Sequence, residues 1–543
     1  MRAAVMDTVI GGRDDAEVFA RANHIGCAGV EIVAGRPDLR DSGGTRLQAL
    51  RRAKQATELD IHALVLGEQN EAGGLADESA DVAGRARDDV VDALAWAHEL
   101  GADVILVPFF MRSELRSEAD VDRAAAAFRA LCAIAAERGV TLCYEGTLSA
   151  EETLSLVARV DSDAFGVYFD LANPLAKRGL DPPSEIKVLG DLIRRVHVKD
   201  TRATAGDCRP GRGRVDFAEC ARALAEIGYD GWLTLETPPA PLPLIARDLS
   251  FTRTVFPDLD GAPPWPRLGA FSRDFGRGEW EQLAQTFTRL GLELTQLDGA
   301  LLDECLEDSD SAVVGRAVLE SRGIGVPALG GYRNLVAPDP DVRGANLAYV
   351  QRCLELATVL GSYVVATEAG TLSAEGDWTD SALNATETAW DLLYDALETL
   401  LPVAEQSGTI LALEAHVKHV LKTHDQMRRL LERFPTQHLQ IVCDPYNYVS
   451  AELVPVHEEA TGMLLDAFED RFVVAHLKDV DAGGAEMGTP EFGVGVFAQS
   501  AYLDFLRTRR PDLDLVVEHL PLAHVPDVRA QIDAMIAAEE GTR

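Results

Sequence analysis

Four short apolar runs, Thr141-Leu-Cys-Tyr-Glu145, Phe165-Gly-Val-Tyr-Phe-Asp170, Val196-His197-Val-Lys-Asp200 and Trp232-Leu-Thr-Leu-Glu236, follow one another at helix-length intervals. Runs of this kind read as buried parallel strands, and a polar residue at the C-terminal end of such a strand is where an α/β barrel keeps its chemistry. Glu145, Asp170, His197 and Glu236 are therefore candidate ligands of a metal. The pattern recurs in Ile410-Leu-Ala-Leu-Glu414, Leu439-Gln-Ile-Val-Cys-Asp444, Val473-Val-Ala-His476 and Leu513-Asp-Leu-Val-Val-Glu518. Matched ligands lie 269, 274, 279 and 282 residues apart, a slow drift that small loop insertions explain. The ordered set Glu, Asp, His, Glu occurs twice, so the chain reads as a duplicated domain.

At 543 residues the chain exceeds a single core, and two domains of about 250 residues match the size of a (β/α)8 barrel. With 47% hydrophobic and 26% charged residues the composition is that of a globular protein. The formal charge of −37 repels phosphate backbones and anionic headgroups, which argues against nucleic acid and membrane as partners. Eight cysteines, at 27, 132, 143, 208, 220, 305, 353 and 443, form no C-x-x-C pair and read as reduced core residues. The N-terminus runs straight into a strand-like segment, and no apolar run reaches the roughly 18 residues a membrane span needs. The expected location is cytoplasmic.

In the first half, strands near Ala3–Asp7, Gly29–Val33, Ile61–Leu66 and Ala102–Phe109 alternate with helices before the four ligand-bearing strands. The second half repeats this with strands near Leu268–Phe271, Leu292–Leu297, Gly325–Leu329 and Tyr363–Thr367, a long helix near Ser381–Gln406 and a last helix near Pro526–Ala538. Eight β/α repeats predict a closed parallel barrel, and no Gly-x-Gly-x-x-Gly turn follows the first strand. The expected fold class is α/β, as two tandem (β/α)8 TIM barrels over residues 1–256 and 267–543. Residues 257–266, with four prolines, make a stiff Pro-rich linker between them.

Neighbouring barrel strands lie about 4.8 Å apart, so side chains ending four consecutive strands converge at the mouth. Three carboxylates and one imidazole suit a hard or borderline divalent ion, Mn²⁺ first, then Mg²⁺ or Co²⁺, one per barrel. An ion on a carbonyl and its neighbouring hydroxyl acidifies the intervening C–H by stabilising the developing enediolate. The pairs Glu145 and Glu236, and Glu414 and Glu518, are placed to remove and return that proton.

These residues resemble the xylose-isomerase-like TIM barrel superfamily, the sugar phosphate isomerase/epimerase group. The resemblance covers nearly all of both halves and is sharpest in His197-Val-Lys-Asp200, His476-Leu-Lys-Asp479, Gly228-Tyr-Asp-Gly-Trp-Leu-Thr-Leu-Glu236 and Leu411-Ala-Leu-Glu414-Ala-His416. It implies a single divalent metal held by Glu145, Asp170, His197 and Glu236, a second held by Glu414, Asp444, His476 and Glu518, and the first and last Glu of each set as the acid/base pair. Apurinic endonucleases of the group bind a trinuclear cluster through further histidines. Here Leu-Ala-Asn-Pro follows Asp170 and Pro-Tyr-Asn-Tyr follows Asp444, with no histidine close behind.

Asn173 and Asn447 lie three residues after the ligand Asp, where they either orient it or cap the next turn. Lys199 and Lys478 share the face of the ligand His and either bind substrate or pair with Asp200 and Asp479. Expected substrate contacts are His62, Lys199 and Arg212 in the first half and Arg333, His416 and Lys478 in the second. Arg214, Glu68 and Arg112, and Tyr332, Glu368 and Lys418, are further candidates for the walls of the two mouths. The leading expectation is a metal-dependent isomerase or epimerase of a small polyhydroxylated carbonyl compound. The alternatives are a lyase, by dehydration of a keto-cyclitol or cleavage of a 3-keto-glycoside, and a chain in which one barrel is purely structural. Two oligomeric states stay open, a homodimer and a single chain whose fused pair already supplies that interface.

Overall fold

The computed structural model describes residues 1–41, 43–261 and 265–540. It divides into two compact units, Met1–Ala262 and Pro263–Arg543. The expected linker straddles that division, and its residues 262–264 lie outside the described residues.

In the first unit eight parallel strands, Arg2–Met6, Gly29–Val33, Asp60–Val65, Val104–Phe109, Thr141–Gly146, Phe165–Asp170, Ile193–Val198 and Trp232–Leu235, each pair with the next, and the last pairs with the first. The barrel is closed. Every residue of Val104–Phe109 and of Phe165–Asp170 is buried, as expected of strands covered by helices outside and by packed side chains within. The helix Ala150–Val160 shows how sequence sets each crossover. Ser149 and Glu152 form a capping box at its start, Ala150, Thr153, Leu156 and Val160 fall on one buried face, and the αL residue Asp161 ends it.

The second unit has eight parallel strands in the order second, first, eighth, then down to third: Leu268–Phe271, Leu294–Gln296, Leu329–Gly330, Val364–Glu368, Ile410–Glu414, Leu439–Cys443, Phe472–Leu477 and Leu515–Val517. Its third strand is shorter than the predicted Gly325–Leu329. Pro327 lies in that segment and removes a ladder donor, so only the isolated bridges Leu294↔Gly325 and Leu297↔Leu329 cross the seam to the second strand. This sheet is nearly closed. The predicted helix Ser381–Gln406 is split: a 3₁₀ turn at Ala382–Ala385 precedes Glu387–Ser407, because Thr386 caps the second segment. All eight cysteines are buried and unpaired. Among the described residues no helix is long and apolar enough to cross a membrane.

Gly29 marks a close crossing in the first barrel. A Cβ there would stand 2.7 Å from the Trp232 ring and 2.8 Å from the Asp60 carbonyl. Gly29→Ala is expected to destabilise the first unit by about 1–3 kcal/mol, measurable by urea denaturation.

Candidate metal centres

The strand ends bring Glu145, Asp170, His197 and Glu236 together, so that one ligand atom from each lies within 4.8 Å of the others. Register explains the convergence, since Asp170 pairs with His197 and His197 with Thr234, two residues before Glu236. Asp170 Oδ1 accepts from the backbone N–H groups of Ala172 and Asn173, both at 2.7 Å, which aims its other oxygen inward. Asn173 Nδ2 donates to Glu145 Oε1 at 3.0 Å. His197 Nδ1 faces Glu236 Oε2 at 2.9 Å and Glu145 Oε1 at 3.6 Å. Asp170 Oδ2, His197 Nδ1 and Glu236 Oε2 are buried and turned to one point, where the Lys199 ammonium neutralises the two carboxylate oxygens. Three hard donors and an imidazole nitrogen turned to one point fit a divalent cation.

The second unit repeats the arrangement with Glu414, Asp444, His476 and Glu518, again within 4.8 Å. His476 Nδ1 lies 3.4 Å from Glu414 and Asp444 and 3.7 Å from Glu518. Asn447 Nδ2 donates to Glu414 Oε1 at 2.5 Å and to Asp444 Oδ2 at 3.3 Å. Both asparagines hold the Glu of the neighbouring strand, and Asn447 also holds the ligand Asp, as one of the two expected roles has it. Each unit can hold one ion.

The chain matches the family described as "Xylose isomerase-like TIM barrel" over residues 19–255 and again over 270–534. The chain belongs to that family. Similar proteins include 2-epi-5-epi-valiolone 7-phosphate 2-epimerase from Actinoplanes sp., 33% identical over 162 residues, which are 29% of this chain and 57% of that protein. Inosose dehydratase from Lacticaseibacillus casei is 28% identical over 130 residues, 20% of this chain and 43% of that protein. Fructoselysine 3-epimerase from Escherichia coli O157:H7 is 27% identical over 241 residues, 40% of this chain and 83% of that protein. The chain thus spans about half the length of the first two. Among solved structures, a D-psicose 3-epimerase from Clostridium cellulolyticum H10 aligns with a TM-score of 0.41 and 17% identity, covering 47% of this chain and 99% of that one.

In this xylose isomerase-like chain the lysines of the His-x-Lys-Asp motifs do not pair with the adjacent aspartates. Lys199 Nζ lies 3.0 Å from Asp170 and 2.6 Å from Glu236, and Lys478 Nζ lies 2.7 Å from both Asp444 and Glu518. Asp200 and Asp479 instead clamp the loop after the seventh strand. Asp200 accepts from the N–H groups of Thr201, Gly213 and Val215, and Asp479 from those of Val480, Gly493 and Phe497.

The other expected contacts are placed unevenly. His62 lies early in its strand, buried and stacked on Trp232 at 4.5 Å with its Nε2 on Thr234 Oγ1, so it belongs to the barrel interior and not the mouth. Arg212, Arg214, Glu68 and Arg112 are exposed, Arg112 on the 3₁₀ turn Met111–Ser113 against Asp77 and Glu68 against the Arg36 N–H. Arg333 stacks on Tyr349 at 3.6 Å. His416 is buried beside Trp378 and His419 and accepts from the Lys418 N–H. Tyr332 donates to Glu414 Oε2 at 2.9 Å. Sequence reasoning does not find Glu31, inside the second strand of the first unit, or Gln296, at the end of the second strand of the second, which bond the far nitrogen of each ligand histidine, at 2.9 and 3.0 Å.

The two carboxyls of each pair are pushed apart. Burial drives Glu145 up against the pull of His197, and Glu414 up to about 7. Burial acts on Glu236 and Glu518 too, but Lys199 and His197 hold Glu236 well below the carboxylate range, and Lys478 and His476 bring Glu518 to about 2. Despite burial, Glu31 and Glu236 raise His197.

Glu368 ends the fourth strand of the second unit in register with Glu414, where the first unit has Pro108 beside Glu145. Burial, reinforced by Glu414, raises it to about 8. A carboxyl that holds its proton more tightly folded than unfolded costs stability as pH rises from the ordinary glutamate value toward 8. Glu368→Gln is expected to raise the melting temperature of metal-free protein at pH 8 and leave it nearly unchanged at pH 4.

Proposed function

We propose that this chain is a divalent-metal-dependent isomerase or epimerase of a small sugar, keto-sugar or cyclitol, with an active centre in each barrel. The observation that carries the reading is the twice-built pair of carboxylates, Glu145 with Glu236 and Glu414 with Glu518, on either side of an inward-turned imidazole and pushed to opposite ends of the carboxylate range.

A divalent ion, Mn²⁺ by preference, would polarise a substrate carbonyl and its neighbouring hydroxyl and acidify the C–H between them. Glu236, kept ionised by Lys199 and His197, is the base that takes this proton. Its side chain is 28% exposed against 8% for Glu145, which makes it the open side of the site. Glu145, held by Asn173, delivers a proton to the opposite face, giving the epimer, or to the neighbouring carbon, giving the isomer. Asp170 is fixed by two backbone donors and stays a pure ligand. Glu518, Glu414, Asn447 and Asp444 take the same parts in the second barrel.

The relatives named as a 2-epimerase and a 3-epimerase support this chemistry. A second reading, elimination of water, is supported by the inosose dehydratases among the relatives, because the same carbanion expels a β-hydroxyl when the acid faces it. Incubation of keto-sugars, aldo-sugars, their phosphates and inososes with protein and Mn²⁺ in deuterated water separates the two by mass spectrometry. Deuterium gained with an otherwise unchanged formula is expected. Loss of 18 mass units would replace the isomerase with a dehydratase.

A further inference from the structure

The two metal centres differ in the group behind the histidine. Glu31 and Gln296 occupy the same place, each paired with the last residue of the first strand of its barrel, Met6 and Phe271. Both side chains are fully buried. Glu31 Oε1 accepts from His197 Nε2 at 2.9 Å, and Glu31 Oε2 accepts the Tyr168 hydroxyl, so both oxygens are used. A carboxylate only accepts, so it fixes the His197 proton on Nε2 and leaves Nδ1 for an ion.

In the second barrel the same task falls to an amide whose direction is set by a chain of donors. Tyr332 donates to Glu414 Oε2, Gln296 Nε2 donates to Tyr332 Oη at 3.1 Å, and Gln296 Oε1 is left to accept from His476 Nε2 at 3.0 Å. The tautomer is the same; the charge is not. An imidazole bonded to a carboxylate is a stronger donor than one bonded to a neutral carbonyl, and a buried carboxylate is itself stabilised by a cation reached through the ring.

Resting on the metal reading above, we infer that Glu31 makes the first barrel the tight metal site of this chain and Gln296 makes the second a weaker, exchangeable one. The two ions then bind with dissociation constants about 10–100-fold apart. One barrel stays loaded where the other responds to the supply of the ion.

The test is titration of the metal-free full-length chain with Mn²⁺, with free ion read by its electron paramagnetic resonance signal. Two classes of one ion each are expected. His197→Ala should delete the tight class and His476→Ala the weak one. Glu31→Gln should bring the tight class to the weak one, and Gln296→Glu should tighten the second about 10-fold or more. If Glu31→Gln fails to fold, as read by circular dichroism, Gln296→Glu decides alone. Constants within threefold of each other in the parent, loss of the tight class with His476→Ala, or a second class indifferent to Gln296→Glu would overturn the inference. Absence of any bound Mn²⁺ would overturn the metal reading itself.

Discussion

Replacing Glu236 by Gln is expected to slow proton exchange in the first barrel by about 10²–10⁴-fold, the usual worth of a positioned general base. The amide keeps an oxygen for an ion and the shape of the side chain, so the loss is that of a base and not of a fold. Lys199 at 2.6 Å and His197 at 2.9 Å then face a neutral group instead of the carboxylate they hold ionised. Glu518→Gln is expected to do the same in the second barrel, where Lys478 lies 2.7 Å away. Because each unit carries its own ligand set, each single variant removes the deuterium incorporation of one barrel and leaves that of the other, and the double variant removes both. A rate unchanged by both substitutions would take the base role from these residues.

The second large effect is on stability. Lys478 is 3% exposed along its side chain and sits between Asp444 and Glu518 at 2.7 Å from each, with Glu414 at 3.9 Å. Lys478→Met leaves those carboxylates buried without their cation and is expected to destabilise the metal-free second unit by about 3–5 kcal/mol. Added Mn²⁺ should restore much of that loss, since binding to the folded state alone stabilises it by mass action. Urea denaturation of parent and variant, each with and without Mn²⁺, reads both numbers. A variant as stable as the parent without metal would mean the ammonium does not neutralise the cluster.

What the sequence disclosed follows from where the chemistry sits. Glu145, Asp170, His197 and Glu236 close strands that are otherwise apolar, and the break in hydrophobicity at a strand end is visible without coordinates. The duplication made that break count twice. Glu31 carried no such mark, because a single polar residue inside a short apolar strand looks the same whether it faces a helix or a histidine, and Gln296 follows Thr295 in a strand with no clear apolar pattern to break. Their signal was their equivalence: both stand 25 residues after the last residue of the first strand in their halves. The depth of His62 carries no sequence mark, since the period-2 pattern places a side chain inside the barrel but not at a depth within it. The third strand of the second barrel is shorter than its apolar residues suggest because Pro327 interrupts its ladder. The roles of Asp200 and Asp479 depended on where a loop returns 13–18 residues later, which spacing does not give.

Anomalous diffraction at the manganese edge from crystals of the full-length chain grown with Mn²⁺ tests the central claim most directly. The account predicts two peaks per chain, one bounded by Glu145, Asp170, His197 Nδ1 and Glu236 and one by Glu414, Asp444, His476 Nδ1 and Glu518. Lys199 still bridging Asp170 and Glu236 and Lys478 still bridging Asp444 and Glu518, with no anomalous peak inside either cluster, would contradict it.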